Sequence, residues 1–288
     1  MAIKVVPLPG KMGVEIQGLN LAEPLSPDNF KVWRQAFLQH GLVVFQGQTL
    51  SNLEHVDISL NFGPLEVFPD PKDQAEGFGT ILRVTNVDKM TNDIRSYDED
   101  VGFKSFVLGT GDWHIDSSFR KNPGKASLLY AKEIPLFEGD TVFANTNFAF
   151  EAMAEERKTY LSELTVVHDF NSTRRRFGLP DRPKSVSDKT PPVTHSLVTE
   201  LPDGKKVLMI GIHALQIDGM PKSESDDLLE ELKQWCIQPR FVHHHKWHVG
   251  DVVMWDNRSI MHRAMPYDLE NQRRLLHRTT IDAVSTAI

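Results

Sequence analysis

The strongest constraint on this chain is a series of short apolar runs, each bounded by Gly, Pro, Asp or Asn. Leu42-Val43-Val44-Phe45 is the clearest of them. Further runs lie at Ser127–Ala131, Asp140–Ala144, Val193–Thr199, Lys206–Ile210, Phe241–His245, Val252–Trp255 and Leu275–Ile281. Runs this short, rich in Val, Ile, Phe and Trp, read as strands rather than helices. Gly13–Ile16 adds another near the start. Many short strands separated by turns predict a sandwich or barrel. A double-sheet jelly roll (double-stranded β-helix) fits best, because its two sheets leave room for a site between them. Helices flank this mainly β framework. Ser26-Pro27-Asp28 is a helix start, followed by Phe30, Trp33 and Phe37 at helical spacing, with His40-Gly41 as the stop. Ser51–Phe62, Phe148–Glu156 and Ser223–Gln234 are the other helical stretches.

No internal repeat, low-complexity tract or composition shift divides the chain, so residues 1–288 are read as a single domain. Residues 66–110 are rich in Gly, Asp, Asn and Lys, with one strand-like piece at Ile81–Val84. A stretch so long with little regular structure is expected to be a lid or substrate loop. Residues 171–190 read as a solvated surface insertion. With 32 basic and 39 acidic residues the net charge is −7, which argues against a nucleic-acid partner. No run of apolar residues is long enough to span a membrane, so none is expected as a partner. Met1–Gly10 lacks the apolar core of a signal peptide, which makes a cytoplasmic location the expectation. The single cysteine, Cys236, excludes an intrachain disulfide and a multi-cysteine metal site.

Chemistry concentrates in Trp113-His114-Ile115-Asp116. On a strand, positions i and i+2 share a face, so His114 and Asp116 can reach one ion. His262, just past the strand-like Asp251–Trp255, supplies a second imidazole. Two histidines and one carboxylate form the three-ligand face of non-haem iron(II) oxygenases, with three octahedral positions left open. Arg274, Leu276 and Arg278 share one face of the last strand. Two inward arginines need anions, either bound acids or structural ones such as Asp282. Thr141 offers a hydroxyl that makes sense as a donor to an anion, although threonine in a strand is otherwise ordinary. A zinc hydrolase would use the same three ligands but has no need for a dicarboxylate site. His243-His244-His245 looks like a metal cluster, but adjacent strand residues alternate faces, and an exposed strand face is expected instead. Arg174-Arg175-Arg176 reads as a solvated charge run, and His195 and His213 as core histidines.

These pieces, in order, resemble the taurine dioxygenase and 2,4-dichlorophenoxyacetate dioxygenase family of Fe(II)- and 2-oxoglutarate-dependent enzymes. The matching segments are Gly41–Phe45 with Asn61-Phe62-Gly63-Pro64, Trp113–Phe119, Gly139-Asp140-Thr141, and Gly250-Asp251 through Trp255-Asp256-Asn257-Arg258 to His262 and the arginines. Asp116-Ser117-Ser118-Phe119, Ile210-Gly211-Ile212-His213-Ala214 and Met254–Arg258 are similar to the phenoxyacetate branch. The resemblance implies Fe(II) on His114, Asp116 and His262, and 2-oxoglutarate held by Thr141 and Arg274. It implies Arg278 on the anionic group of the substrate, with Asn86 also on the substrate side. With O2 as oxidant, the implied reaction is hydroxylation of a small aryloxyacetate-like carboxylate or a sulfonate, releasing succinate and CO2. Desaturation or oxidative rearrangement of an amino-acid-derived acid is the alternative outcome. Asp116 fills a coordination position, which leaves no vacancy for a halide and argues against halogenation. The family also implies a homo-oligomer, dimer or tetramer. Phe68, Phe103 and Phe106 are either a pocket wall or lid packing.

Overall fold

A computed structural model describes residues 3–10 and 12–288. Its framework is an eight-stranded sheet in the spatial order Lys4–Pro7, Val14–Gln17, Leu42–Phe45, Val252–Asp256, Ala126–Glu133, Leu275–Ile281, Phe78–Thr85, Gln74–Ala75. All pairings are antiparallel except Val14–Gln17 against Leu42–Phe45. A second sheet has three antiparallel strands, Val242–His245, Thr141–Asn145 and Ile260–Ala264. Two small sheets, Ala214–Ile217 with Thr165–His168 and Val193–Ser196, and Val198–Glu200 with Lys206–Leu208, are formed by the chain between Thr141–Asn145 and Val242–His245.

The two-residue period of each strand sorts its side chains into different cores. Val43, Phe45, Leu128, Tyr130, Val252 and Met254 join Trp33, Phe37 and Ile58 of the helices Pro27–His40 and Asn52–Leu60. Their neighbours Leu42, Val44, Leu129, Ala131, Val253 and Trp255 pack instead with Phe143 and Ile260 of the three-stranded sheet. That sheet's other face, with Val142, Ala144 and Met261, packs with Leu228 and Leu232 of the helix Lys222–Cys236. Alternate residues at 127, 129, 131, at 141, 143, at 260, 262 and at 274, 276, 278 therefore point into the space between the two larger sheets.

The flanking helices start and stop as their sequences dictate. Ser26 accepts from Asn29 N at the first, and Gly41 ends it at φ 70° with its N–H on Phe37 O. Ser51 and Glu54 form a reciprocal capping box on the second. The expected helix at Phe148–Glu156 is two, Thr146–Glu151 and Glu155–Ser162, separated by Ala152-Met153-Ala154. The region 66–110 has more order than expected: the strand Phe78–Thr85 exceeds Ile81–Val84, and Val101–Gly111 is a helix capped by Asp100. Residues 171–190 are not solvated throughout. Asn171, Ser172 and Thr173 are buried in the helix Phe170–Arg176.

Candidate active site

His114 and His262 meet through backbone before their side chains meet. His114 N–H donates to His262 O at 3.0 Å, and His262 N–H returns a bond to His114 O at 2.9 Å. This is an isolated antiparallel bridge, and the chain turns immediately after it, with Ser117 at φ 59°. Asp116 therefore reaches the ion face from a turn, not from the regular strand expected. His262 lies on the strand Ile260–Ala264, which the sequence reading missed.

The three side chains converge. His114 Nε2 is 3.9 Å from Asp116 Oδ1 and His262 Nε2 is 3.9 Å from Asp116 Oδ2. These separations are too long for hydrogen bonds and short enough for one ion to bridge. One ligand atom from each residue lies within 4.8 Å of the others, and all three residues are buried. The arrangement fits a divalent metal in its protonation states as well. His114 Nδ1 faces Asp112 O at 2.9 Å. A carbonyl only accepts, so Nδ1 carries the proton and Nε2 offers its lone pair. Burial lowers the pKa of His114, and burial with His114 nearby drives His262 well below the usual range. Burial would raise Asp116, but Arg278, His262 and His114 outweigh it and hold the carboxyl below its ordinary range. Two neutral imidazoles and one carboxylate are the forms that bind a metal.

Asp116 is held from both oxygens. Arg278 Nη1 donates to Oδ1 at 2.7 Å, and Ser127 Oγ donates to Oδ2 at 3.2 Å. Asn257 Nδ2 in turn donates to Ser127 Oγ at 3.0 Å, which leaves the serine hydrogen free to point at the carboxylate. Neither Ser127 nor Asn257 carries a local sequence signal for this role. His262 lies between Trp255 and Phe143, with ring centroids 4.7 and 6.0 Å away. Trp113 is buried next to His114, under the guanidinium of Arg263 at 5.7 Å. These rings pack around the two imidazoles.

The two arginines behave differently. Arg278 has its acid, Asp116, although its Nε is buried without a partner. Arg274 is 4% exposed, and among the described residues no carboxylate lies within ion-pair distance of it. Its Nε donates to Gly139 O at 3.0 Å and its Nη2 to Thr141 Oγ1 at 3.4 Å. Burial lowers its pKa to about 10. A buried cation with only neutral partners calls for a bound anion. Arg273, next to it, is already paired with Glu133 at 2.7 Å. Asn86 is fully buried and spends both amide hydrogens on Leu269 O (2.9 Å) and Gln272 O (2.8 Å). Its Oδ1 accepts from Arg274 N at 2.9 Å. The substrate-side role implied for Asn86 thus has no free donor, and the residue instead fixes the loop that presents Arg274.

The histidine run is only partly as expected. Faces alternate along Val242–His245, but His243 and His245 are buried, and only His244 is exposed, paired with Asp140 at 2.9 Å. His213 is buried and bonded to Thr173 Oγ1 (3.0 Å), whereas His195 is half-buried on the strand Val193–Ser196 and bonded to Ser118 O (2.8 Å). Phe103 is buried under Arg95, and Phe68 is buried with the Arg278 guanidinium 5.9 Å from its ring. Phe68 thus borders the site, and Phe103 packs within the region 66–110 itself.

Comparison with known proteins agrees with this geometry. The family model described as "Taurine catabolism dioxygenase TauD, TfdA family" matches residues 4–280. The alpha-ketoglutarate-dependent 2,4-dichlorophenoxyacetate dioxygenase of Cupriavidus pinatubonensis is 30% identical over 98% of this chain and 99% of its own. The (S)-phenoxypropionate/alpha-ketoglutarate-dioxygenase of Delftia acidovorans is 30% identical over 96% and 94%. The crystal structure of AAD-2 in complex with Mn(II) and N-oxalylglycine superposes with a TM-score of 0.89 at 31% identity, covering 100% of this chain and 99% of that one. With its histidine–aspartate–histidine cluster and a match along nearly its whole length, the chain belongs to the TauD/TfdA dioxygenase family.

Proposed function

We infer that this protein is an Fe(II)- and 2-oxoglutarate-dependent dioxygenase that hydroxylates a small anionic organic molecule. The observation that carries this reading is Arg274: buried, with no carboxylate paired to it among the described residues, and beside a three-ligand metal face. His114, Asp116 and His262 would hold the iron. Arg274 and Thr141 would hold the distal carboxylate of 2-oxoglutarate, the guanidinium supplying the charge and the hydroxyl a further donor. Bound Fe(II) with 2-oxoglutarate and O2 supplies the oxidising power for C–H hydroxylation, with succinate and CO2 as co-products.

The protein's own part is placement and exclusion of water. Arg278 and Ser127 keep Asp116 ionised and oriented. Asp112 O keeps His114 in the metal-binding tautomer. Arg278 is also the group proposed to meet the substrate anion, since only one of its terminal nitrogens is engaged by Asp116. The relatives named for phenoxyalkanoates support an aryloxyacetate-like carboxylate as the first substrate to try, with sulfonates next. The facing sheets are read as a jelly roll, residues 1–288 as one catalytic domain, and residues 66–110 as its substrate lid. Among the described residues no helix is long and apolar enough to cross a membrane. A cytoplasmic homo-oligomer of two or four chains completes the proposal.

The test is succinate release from 2-oxoglutarate with Fe(II), ascorbate and a panel of aryloxyalkanoates and sulfonates. Substrate-dependent succinate that disappears in His114→Ala is the expected result. Succinate at the same rate in that variant refutes the metal assignment.

A further inference from the structure

Trp247 is 4% exposed and lies in the same core as Leu129, Phe143 and Leu276, between the two larger sheets. Its ring meets His245 edge to face, with centroids 4.4 Å apart and planes at 83°. Its indole Nε1 donates to Thr141 Oγ1 at 2.9 Å. The same oxygen is the acceptor for Arg274 Nη2 at 3.4 Å. A threonine hydroxyl has two acceptor lone pairs and one hydrogen. An indole N–H and a guanidinium N–H can only donate. Two donor-only groups on one oxygen occupy both lone pairs, so the hydroxyl hydrogen has to point at a third group, and that group has to accept.

We propose that Trp247 is a positioning residue for the co-substrate: it fixes the Thr141 hydroxyl as a donor aimed at the distal carboxylate of 2-oxoglutarate. The inference rests on the 2-oxoglutarate reading above and adds a residue and a mechanism to it. Without the indole, the hydroxyl has three staggered positions to choose from and can turn its hydrogen away. Recognition of the distal carboxylate then loses a preorganised bond, while the oxo-acid end that meets the metal is untouched.

Calorimetric titration of Mn(II)-loaded protein separates these two ends without turnover. Trp247→Phe keeps the ring against His245 and removes only the N–H. It is expected to weaken 2-oxoglutarate binding roughly three- to tenfold, less than the loss of a whole hydrogen bond to a charged group, because the hydroxyl stays and only its orientation is lost. Binding of pyruvate, which has the oxo-acid end but no distal carboxylate, is expected to stay within experimental error. In a Thr141→Val background, adding Trp247→Phe is expected to change nothing further. Equal weakening for both acids, or the same loss in the Thr141→Val background, makes Trp247 merely structural and overturns the proposal. So does wild-type affinity in Trp247→Phe. If the wild-type protein binds neither acid, the dioxygenase reading itself fails, an outcome distinct from wild-type binding with an inert Trp247.

Discussion

The metal face can be disturbed from a residue that supplies no ligand atom. Gly211 has φ +117°, a conformation L side chains rarely adopt, and its missing side chain faces the backbone of the His114 segment. A Cβ there would lie 3.0 Å from Trp113 O and 3.2 Å from His114 Cα. Trp113 O also accepts from Ile212 N at 2.8 Å, so the two segments are already drawn together. Gly211→Ala brings two costs. The backbone conformation itself costs about 1–3 kcal/mol for a residue with a side chain. The contact then pushes the His114 backbone by a few tenths of an ångström, more than metal–ligand distances tolerate without adjustment. At about 2 cal/mol/K of unfolding entropy per residue, a loss of about 2–3 kcal/mol lowers Tm by about 3–5 °C in a chain of 288 residues.

Gly219→Ala is the internal control. Gly219 has φ +72° but nothing within 4 Å of its missing Cβ, so it carries backbone strain without the contact. Scanning calorimetry of the metal-free proteins and Mn(II) titration read the two effects separately. Both variants lose thermal stability, and only Gly211→Ala loses metal affinity, by about tenfold or more, the scale seen when support of a metal ligand is disturbed. Wild-type metal affinity in Gly211→Ala would sink the argument that this glycine sets the position of His114.

Arg274→Ala should raise the 2-oxoglutarate KM by about 100-fold, as expected for losing two charge-assisted bonds, and a change below threefold would return the arginine to a structural role. Asn86→Ala should destabilise the protein by about 1–3 kcal/mol and weaken 2-oxoglutarate binding with it, because the loop carrying Arg274 loses three hydrogen bonds; urea denaturation and the same titration check both, and loss of stability alone would detach Asn86 from the site. Burial lowers His55 and His168 to a pKa of about 3 each. Between pH 3 and their ordinary value near 6.5 the unfolded chain binds protons that the folded chain does not, so stability is complete above pH 6.5 and falls as the pH drops. The two together give a slope of up to about 3 kcal/mol per pH unit near pH 5, and urea denaturation showing no change between pH 7 and pH 5 would contradict their neutral burial.

Much of the framework is legible because strand and cap signals are local. Leu42–Phe45 and Leu275–Ile281 have the bounds their apolar runs imply, and Ser26 and Ser51 cap as their side chains predict. The helix Val101–Gly111 is less legible because Gly102, Gly109 and Gly111 weaken its propensity and its apolar residues mark no single face. The strand Ile260–Ala264 is hidden behind Asp256–Ser259, a polar stretch that is in fact the turn carrying the chain from the eight-stranded sheet to the three-stranded one, closed by Ser259 N on Asp256 O at 3.0 Å. The metal ligands were readable from spacing and residue type, although Asp116 arrives by a turn. Ser127, Asn257 and Trp247 were not, since each acts through one hydrogen bond to a residue more than ten positions away.

The difference between Arg274 and Arg278 shows why position along a strand is not enough to assign a role. Both point between the sheets, and from parity alone either could have held either anion. The turn at Asp116 gives Arg278 a carboxylate within 2.7 Å, so its charge is already balanced and it can serve substrate only by sharing. Arg274 receives a carbonyl, a hydroxyl and, among the described residues, no acid. Desolvating a guanidinium among neutral partners costs folding energy that a bound dicarboxylate returns. The protein should therefore be more stable to heat with 2-oxoglutarate than without it even when no metal is present, and Arg274→Met should abolish that shift while raising the Tm of the unliganded protein. A lower unliganded Tm in Arg274→Met would mean that Gly139 and Thr141 alone satisfy the charge, and the case for a missing anion would fall.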